Sequence, residues 1–120
     1  MKIAVTTTGD NLDAPLDGRF GRAASFLIFD TETETFTIMP NLQNMQAAQG
    51  AGVQAGQNVA GSGADALITG HVGPKAFAVL QAAGVKIYLA DLPTVREALA
   101  AWREDRLSTT NGADRSGHWS

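Results

Sequence analysis

The chain has 120 residues, 44% of them hydrophobic and 18% charged, with a formal net charge of −3. That size suits one compact domain with one core, and the acidic balance removes any bulk attraction to nucleic acid or an anionic membrane. Cysteine is absent, which excludes disulfides, thiolate nucleophiles and thiolate metal ligands together.

Met1-Lys2 leads into IAV and then polar TTTGDN, an apolar stretch too short for a signal peptide or a membrane span. The expectation is a soluble cytoplasmic protein. KIAVTTT, residues 2 to 8, reads as an opening strand stopped by Gly9-Asp10-Asn11. SFLIFD, 25 to 30, and TFTIMP, 35 to 40, read as two strands of an antiparallel hairpin, since only TETE links them. Pro40 lacks a ladder donor and so ends the third strand or puts it at an edge. Between Gly50 and Gly63 the chain is rich in Ala, Gly and Gln. Val53, Gln57 and Ala60 fall at helical spacing there, and the small residues permit close packing on a sheet, although glycine inside a helix costs about 1 kcal/mol relative to alanine.

The pattern then becomes regular. ADALITG gives a strand near 65 to 69 and GPKAFAVLQAAG a helix near 73 to 83, with Pro74 in its first turn and Gly84 at its end. VKIYLA is a strand at 85 to 90, and TVREALAAWRED is a last helix with Thr94 or Asp91 as its cap. Short apolar strands alternating with helices call for right-handed crossovers and parallel pairing. Together with the hairpin they predict a mixed five-stranded sheet with helices on both faces. Residues 1–107 make one domain, and 108–120, which have no apolar period, are expected to form a flexible C-terminal tail.

Donors for an anion gather in three places. In DGRFGRA, residues 17 to 23, Arg19 and Arg22 flank Phe20-Gly21. Gly18 and Gly21 would let that backbone turn and aim both guanidinium groups at one ligand, and arginine keeps its charge and offers several donors. The rival reading pairs Arg22 with Asp17 or Asp30 and uses Phe20 as a core cover. In ITGHVGPK, 68 to 75, Thr69, Gly70, His71 and Gly73 sit beyond a strand end and before a helix, where ligands of α/β sheets collect. His71 could contact an anion, coordinate a soft metal or cap the loop. Lys75 falls in a first helical turn that disfavours cations, a conflict that a nearby anion relieves and a solvated side chain tolerates. GAGVQAG, 50 to 56, follows the wrong element for a dinucleotide fingerprint. Its glycines suit a loop entering a closely packed helix, or a backbone cradle for an anion.

No catalytic constellation emerges. Ser25 and Ser62 lack a base arrangement. Asp10, Asp13 and Asp17 do not have the spacing of an EF-hand and read as a solvated acidic loop. His71 and His118 are too few for a histidine-only metal site. The expectation is binding rather than catalysis. The rivals are a small-anion sensing module and an enzyme acting on a small phosphorylated substrate, in which His71 would move the proton.

MKIAV, then RFGRAASFLIFD, then ADALITGHVGPKAFAVLQAAGVKIYLA, in this order and spacing, resemble the dinitrogenase iron-molybdenum cofactor biosynthesis family over residues 1 to 107. The resemblance implies a three-layer α/β/α fold of the ribonuclease H-like kind, which carries no implication of nuclease activity. It also implies binding or carriage of a preformed, anionic metal-sulfur cluster. A molybdenum-copper sulfide cluster stands first, with the iron-molybdenum cofactor or a precursor as the alternative, and cluster-donor or acceptor proteins as partners. In the small molybdenum-copper carriers of the family the cluster brings its own sulfides and needs no covalent protein ligand, which a cysteine-free chain can accommodate. Many relatives carry histidine in the central loop. Here that stretch is NMQAAQGAG, with Gln46 and Gln49 instead. The implied site is therefore an electrostatic and hydrogen-bonded pocket of Arg19, Phe20, Gly21, Arg22, Gly50, Gly52, Thr69, Gly70, His71 and Gly73, with no metal ligand assigned.

Overall fold

The computed structural model describes residues 1–41 and 51–110. The strands are β1 (Lys2–Thr7), β2 (Ser25–Asp30), β3 (Thr35–Pro40), β4 (Ala66–Thr69), β5 (Lys86–Leu89) and β6 (Ser108–Thr109). The helices are α1 (Ala51–Gly61), α2 (Pro74–Ala82) and α3 (Val95–Arg103). The strands form one mixed sheet in the order β3-β2-β1-β4-β5-β6. β1, β4 and β5 run parallel, while β2, β3 and β6 are antiparallel to their neighbours.

Alternation along the strands splits the core into two layers. Ala4, Phe26, Ile28, Leu67 and Ile87 face one side and meet Ala55 and Val59 of α1 and Ala76 and Leu80 of α2. Ile3, Val5, Leu27, Phe29 and Ile68 face the other side and meet Val95, Ala98 and Leu99 of α3. The result is the expected three-layer α/β/α domain. No helix among the described residues is long and apolar enough to cross a membrane.

The sheet has six strands rather than five. Ser108–Thr109 pairs with β5 as Tyr88↔Thr109 and Leu89↔Ser108, so the segment expected to be a tail from residue 108 begins as a strand. Two exposed residues are too short to show a period, which is why pattern reading passes over them. Residues 111–120, with His118, lie outside the described residues.

Thr94 rather than Asp91 caps α3: its hydroxyl accepts from the Glu97 backbone N–H at 3.2 Å. Thr94→Ala should cost about 1 kcal/mol, read as a lower urea midpoint with an unchanged slope. The acidic loop after β1 is tied down as well. Arg96 Nε donates to Asp13 Oδ1 at 2.9 Å, and this hydrogen bond holds the Asp13 carboxyl below its usual range.

β3 is the edge of the described sheet. Asn41 N donates to Ala24 O at 2.8 Å, which continues the β2–β3 register. By antiparallel alternation Thr35, Thr37 and Met39 then turn their backbone groups toward β2, and Phe36, Ile38 and Pro40 turn theirs outward. Pro40 thus both ends the strand and sits at an edge.

A cationic cleft beyond the parallel strand ends

The DGRFGRA segment crosses the carboxyl ends of β1 and β4, and buried polar groups hold it there. Asp17 N donates to Thr6 O at 2.9 Å, and the Thr6 hydroxyl donates to the Asp17 carbonyl. The Thr6 and Thr69 hydroxyls hydrogen-bond each other at 2.9 Å, joining the ends of the two strands. Asp17 Oδ1 accepts from Arg19 N at 2.9 Å and from Arg19 Nε at 3.4 Å. The sequence offered Asp17 to Arg22; the carboxylate engages Arg19, whose backbone N–H two residues on completes an Asx-type turn. Phe20 is 2% exposed, its ring tilted against Phe26 with centroids 5.4 Å apart. Its aromatic side chain covers the core, and its backbone N–H donates to His71 O at 3.3 Å. Arg19 and His71 are also bridged as parallel β partners.

From the other side Asn41, buried at the end of β3, donates through Nδ2 to Ala23 O at 2.8 Å and Gly21 O at 3.4 Å. Two close backbone approaches complete the frame. A Cβ on Gly21 would sit 3.0 Å from Gly52 Cα, so the loop lies directly on the described start of α1. A Cβ on Gly70 would sit 2.7 Å from Gly18 Cα, so the two loops touch main chain to main chain.

These contacts enclose a cleft of about 560 Å³ lined by Arg19, Phe20, Gly21, Arg22, Gly52, Val53, His71, Gly73, Pro74, Lys75 and Ala76. Seven of the ten sequence-derived site residues are brought together there. Thr69 and Gly70 are not among the lining residues: Thr69 is buried on Thr6, and Gly70 packs on Gly18 at the wall of a smaller neighbouring pocket that also touches His71. Gly50 lies outside the described residues. Val53, Pro74 and Ala76 are additions. They occupy helix-start positions beside glycine, a signal that marks a site only once the other loop is known to pass above.

The chemistry of the lining is one-sided. Among the described lining residues there is no carboxylate, hydroxyl or thiol, while the basic Arg19, Arg22 and Lys75 line it together with the apolar Phe20, Val53, Pro74 and Ala76. Gly73 caps α2 without a side-chain hydrogen bond, and Pro74 opens it. The backbone N–H groups of Lys75 and Ala76 therefore lie in the first turn, where no intrahelical acceptor reaches them. No group of three or more His, Asp or Glu residues among the described residues could hold a metal ion. Asp13 and Asp17 are engaged by arginines, and the Ser62 hydroxyl closes the end of α1 by donating to Val59 O at 2.6 Å.

The fold and the cleft define a small α/β/α domain with a cleft lined by basic side chains at the carboxyl ends of its parallel strands. The chain belongs to the dinitrogenase iron-molybdenum cofactor family, whose model matches residues 1–105. It is 41% identical to the orange protein of Desulfovibrio gigas, solved in its apo form, with a TM-score of 0.91 and 95% and 96% of the two chains covered. A NifB-like protein from Thermotoga, assigned to the DUF35 family, is 35% identical, with a TM-score of 0.85 and coverage of 97% and 98%. An uncharacterized protein of Methanocaldococcus jannaschii is 27% identical over 109 residues, 89% of each chain. Family membership supports a role in metal-cluster binding or cofactor biosynthesis.

Proposed function

We propose that the cleft binds and carries a preformed, anionic metal-sulfur cluster, in first place a molybdenum-copper sulfide, without covalent ligation by the protein. The supporting observation is the lining: three basic residues among apolar ones, with no acidic or thiol side chain among the described residues of the wall. A sulfide-covered anion is large and weakly hydrated, so it sheds water against Val53 and Pro74 at less cost than a small oxyanion would. The cations and the α2 N-terminus supply the opposite charge. A chain without cysteine leaves the cluster to bring its own sulfides. The role is carriage rather than catalysis, in the cytoplasm, between donor and acceptor proteins. Iron-molybdenum cofactor or a precursor is the alternative cargo.

Anaerobic reconstitution with tetrathiomolybdate and copper tests this reading. The expected product is a stoichiometric cluster with visible charge-transfer absorption that stays with the protein through gel filtration and weakens as salt screens the cations. Molybdate or phosphate at equal concentration should not displace it. Retention of iron and molybdenum from a cofactor precursor would shift the reading to the alternative cargo. Displacement by phosphate would favour the anion-sensing or phosphorylated-substrate rivals. Failure to retain molybdenum, copper or iron would overturn cluster carriage.

A further inference from the structure

An anion site gains nothing electrostatically from a carboxylate beside its arginine, yet Asp17 is placed there. Its side chain is 5% exposed while that of Arg19 is 68% exposed. The carboxylate is not adaptable, because the Asp17 backbone is fixed at both its N–H and its carbonyl by Thr6, which is itself bonded to Thr69. One oxygen, Oδ1, serves both the Arg19 backbone N–H and Nε. That contact uses the Nε edge of the guanidinium, on a residue that lines the cleft.

We propose that Asp17 is a positioning residue for anion capture: it fixes the Arg19 backbone and the Nε edge so that the outer fork of Arg19 is presented to the ligand in one orientation. The proposal rests on the anion-binding reading of the cleft. It has an electrostatic signature of unusual sign. A carboxylate acting only through its charge, or competing with the ligand for Arg19, would weaken anion binding, so its removal would tighten binding. A positioning carboxylate gives the reverse result, because an unheld guanidinium must be ordered when the ligand arrives.

The test titrates tetrathiomolybdate with copper into the parent, D17A, D17N, R19Q and the D17A/R19Q double variant at one salt concentration. D17A should bind about tenfold or more weakly, the scale of one charge-assisted contact. D17N should bind within about threefold of the parent or more tightly, since its amide oxygen still accepts from Arg19 while the negative charge is gone. In the R19Q background the D17A change should have little further effect, because both act through one side chain. Binding by D17A as tight as the parent's, or an equal loss with and without Arg19, overturns the proposal; the second result is that of a structural residue.

A ligand-free readout runs beside it. Amide exchange at Arg19 should quicken in D17A and stay protected in D17N, and unchanged protection in D17A also overturns the clamp. Should D17A lose its fold, D17S replaces it in the binding arms, because the shorter hydroxyl can serve the backbone N–H and not the guanidinium; its Arg19 amide should stay protected. If the parent holds no cluster, the functional reading fails, and the exchange data still decide whether Asp17 fixes Arg19.

Discussion

Replacing Arg19 or Arg22 with glutamine should weaken binding of the reconstituted cluster by roughly 10–150-fold for each arginine, the equivalent of about 1.5–3 kcal/mol for a charged hydrogen bond. Both residues line the cleft on a chain whose net charge is −3, so the attraction is local and has no support from the molecule as a whole. Glutamine keeps much of the length and some donors while removing the charge, so the loss reports electrostatics rather than a collapsed wall. The loss should shrink as salt rises, because the affected contacts are exposed to counterions. Unchanged melting of both variants, followed by titration at low and high salt, is the measurement. If both bind like the parent, the arginines are structural and the donors must be sought at Gly52 and His71. His71→Ala separates the remaining question: a cluster retained equally well rejects a required histidine ligand and leaves His71 with the backbone carbonyl that receives Phe20 N.

The second large effect is expected at a residue that carries no side chain. Gly70→Ala would put its Cβ 2.7 Å from Gly18 Cα and 2.8 Å from Gly18 O. Both are main-chain atoms, so no rotamer relieves the overlap and the two loops must part. Overpacking of this kind costs about 1–3 kcal/mol, which lowers the melting temperature of a domain this size by several degrees. The same separation strains the neighbouring bridge between Arg19 and His71, so cluster retention should fall together with stability. Gly18→Ala is the matched control. It lies on the other side of the same contact, but its Cβ would meet nothing within 4 Å, and it should melt and bind like the parent. Equal melting of Gly70→Ala and Gly18→Ala would remove the proposed close approach.

Much of the fold was legible because its signals are local. The β2 and β3 ranges follow from alternation and a short polar link, α2 from Pro74 at its start, and α3 from Thr94 as its cap. β6 was not legible, since two exposed residues carry no period and exist as a strand only through β5. The candidate site was legible in its charges and less so in its supports. Arg19, Arg22, His71 and Gly73 stand out by type and position. The buried amide of Asn41, which holds Gly21 and Ala23, is eighteen or more residues from the groups it serves. Thr69 shows the converse. Its place at a strand end marked it as a ligand contact, but its hydroxyl is turned into the sheet toward Thr6.

The outward-facing half of β3 has a consequence for how the molecule behaves in a crowd. A strand arriving from another chain would need a ladder of donors and acceptors along the rim, and this rim presents amide hydrogens at Phe36 and Ile38 and then meets Pro40, which has none. Two donors are too few to template a lasting pair. The proline that ends β3 therefore also works as a terminator, denying this rim of the described sheet a place from which it could be copied outward into a fibre.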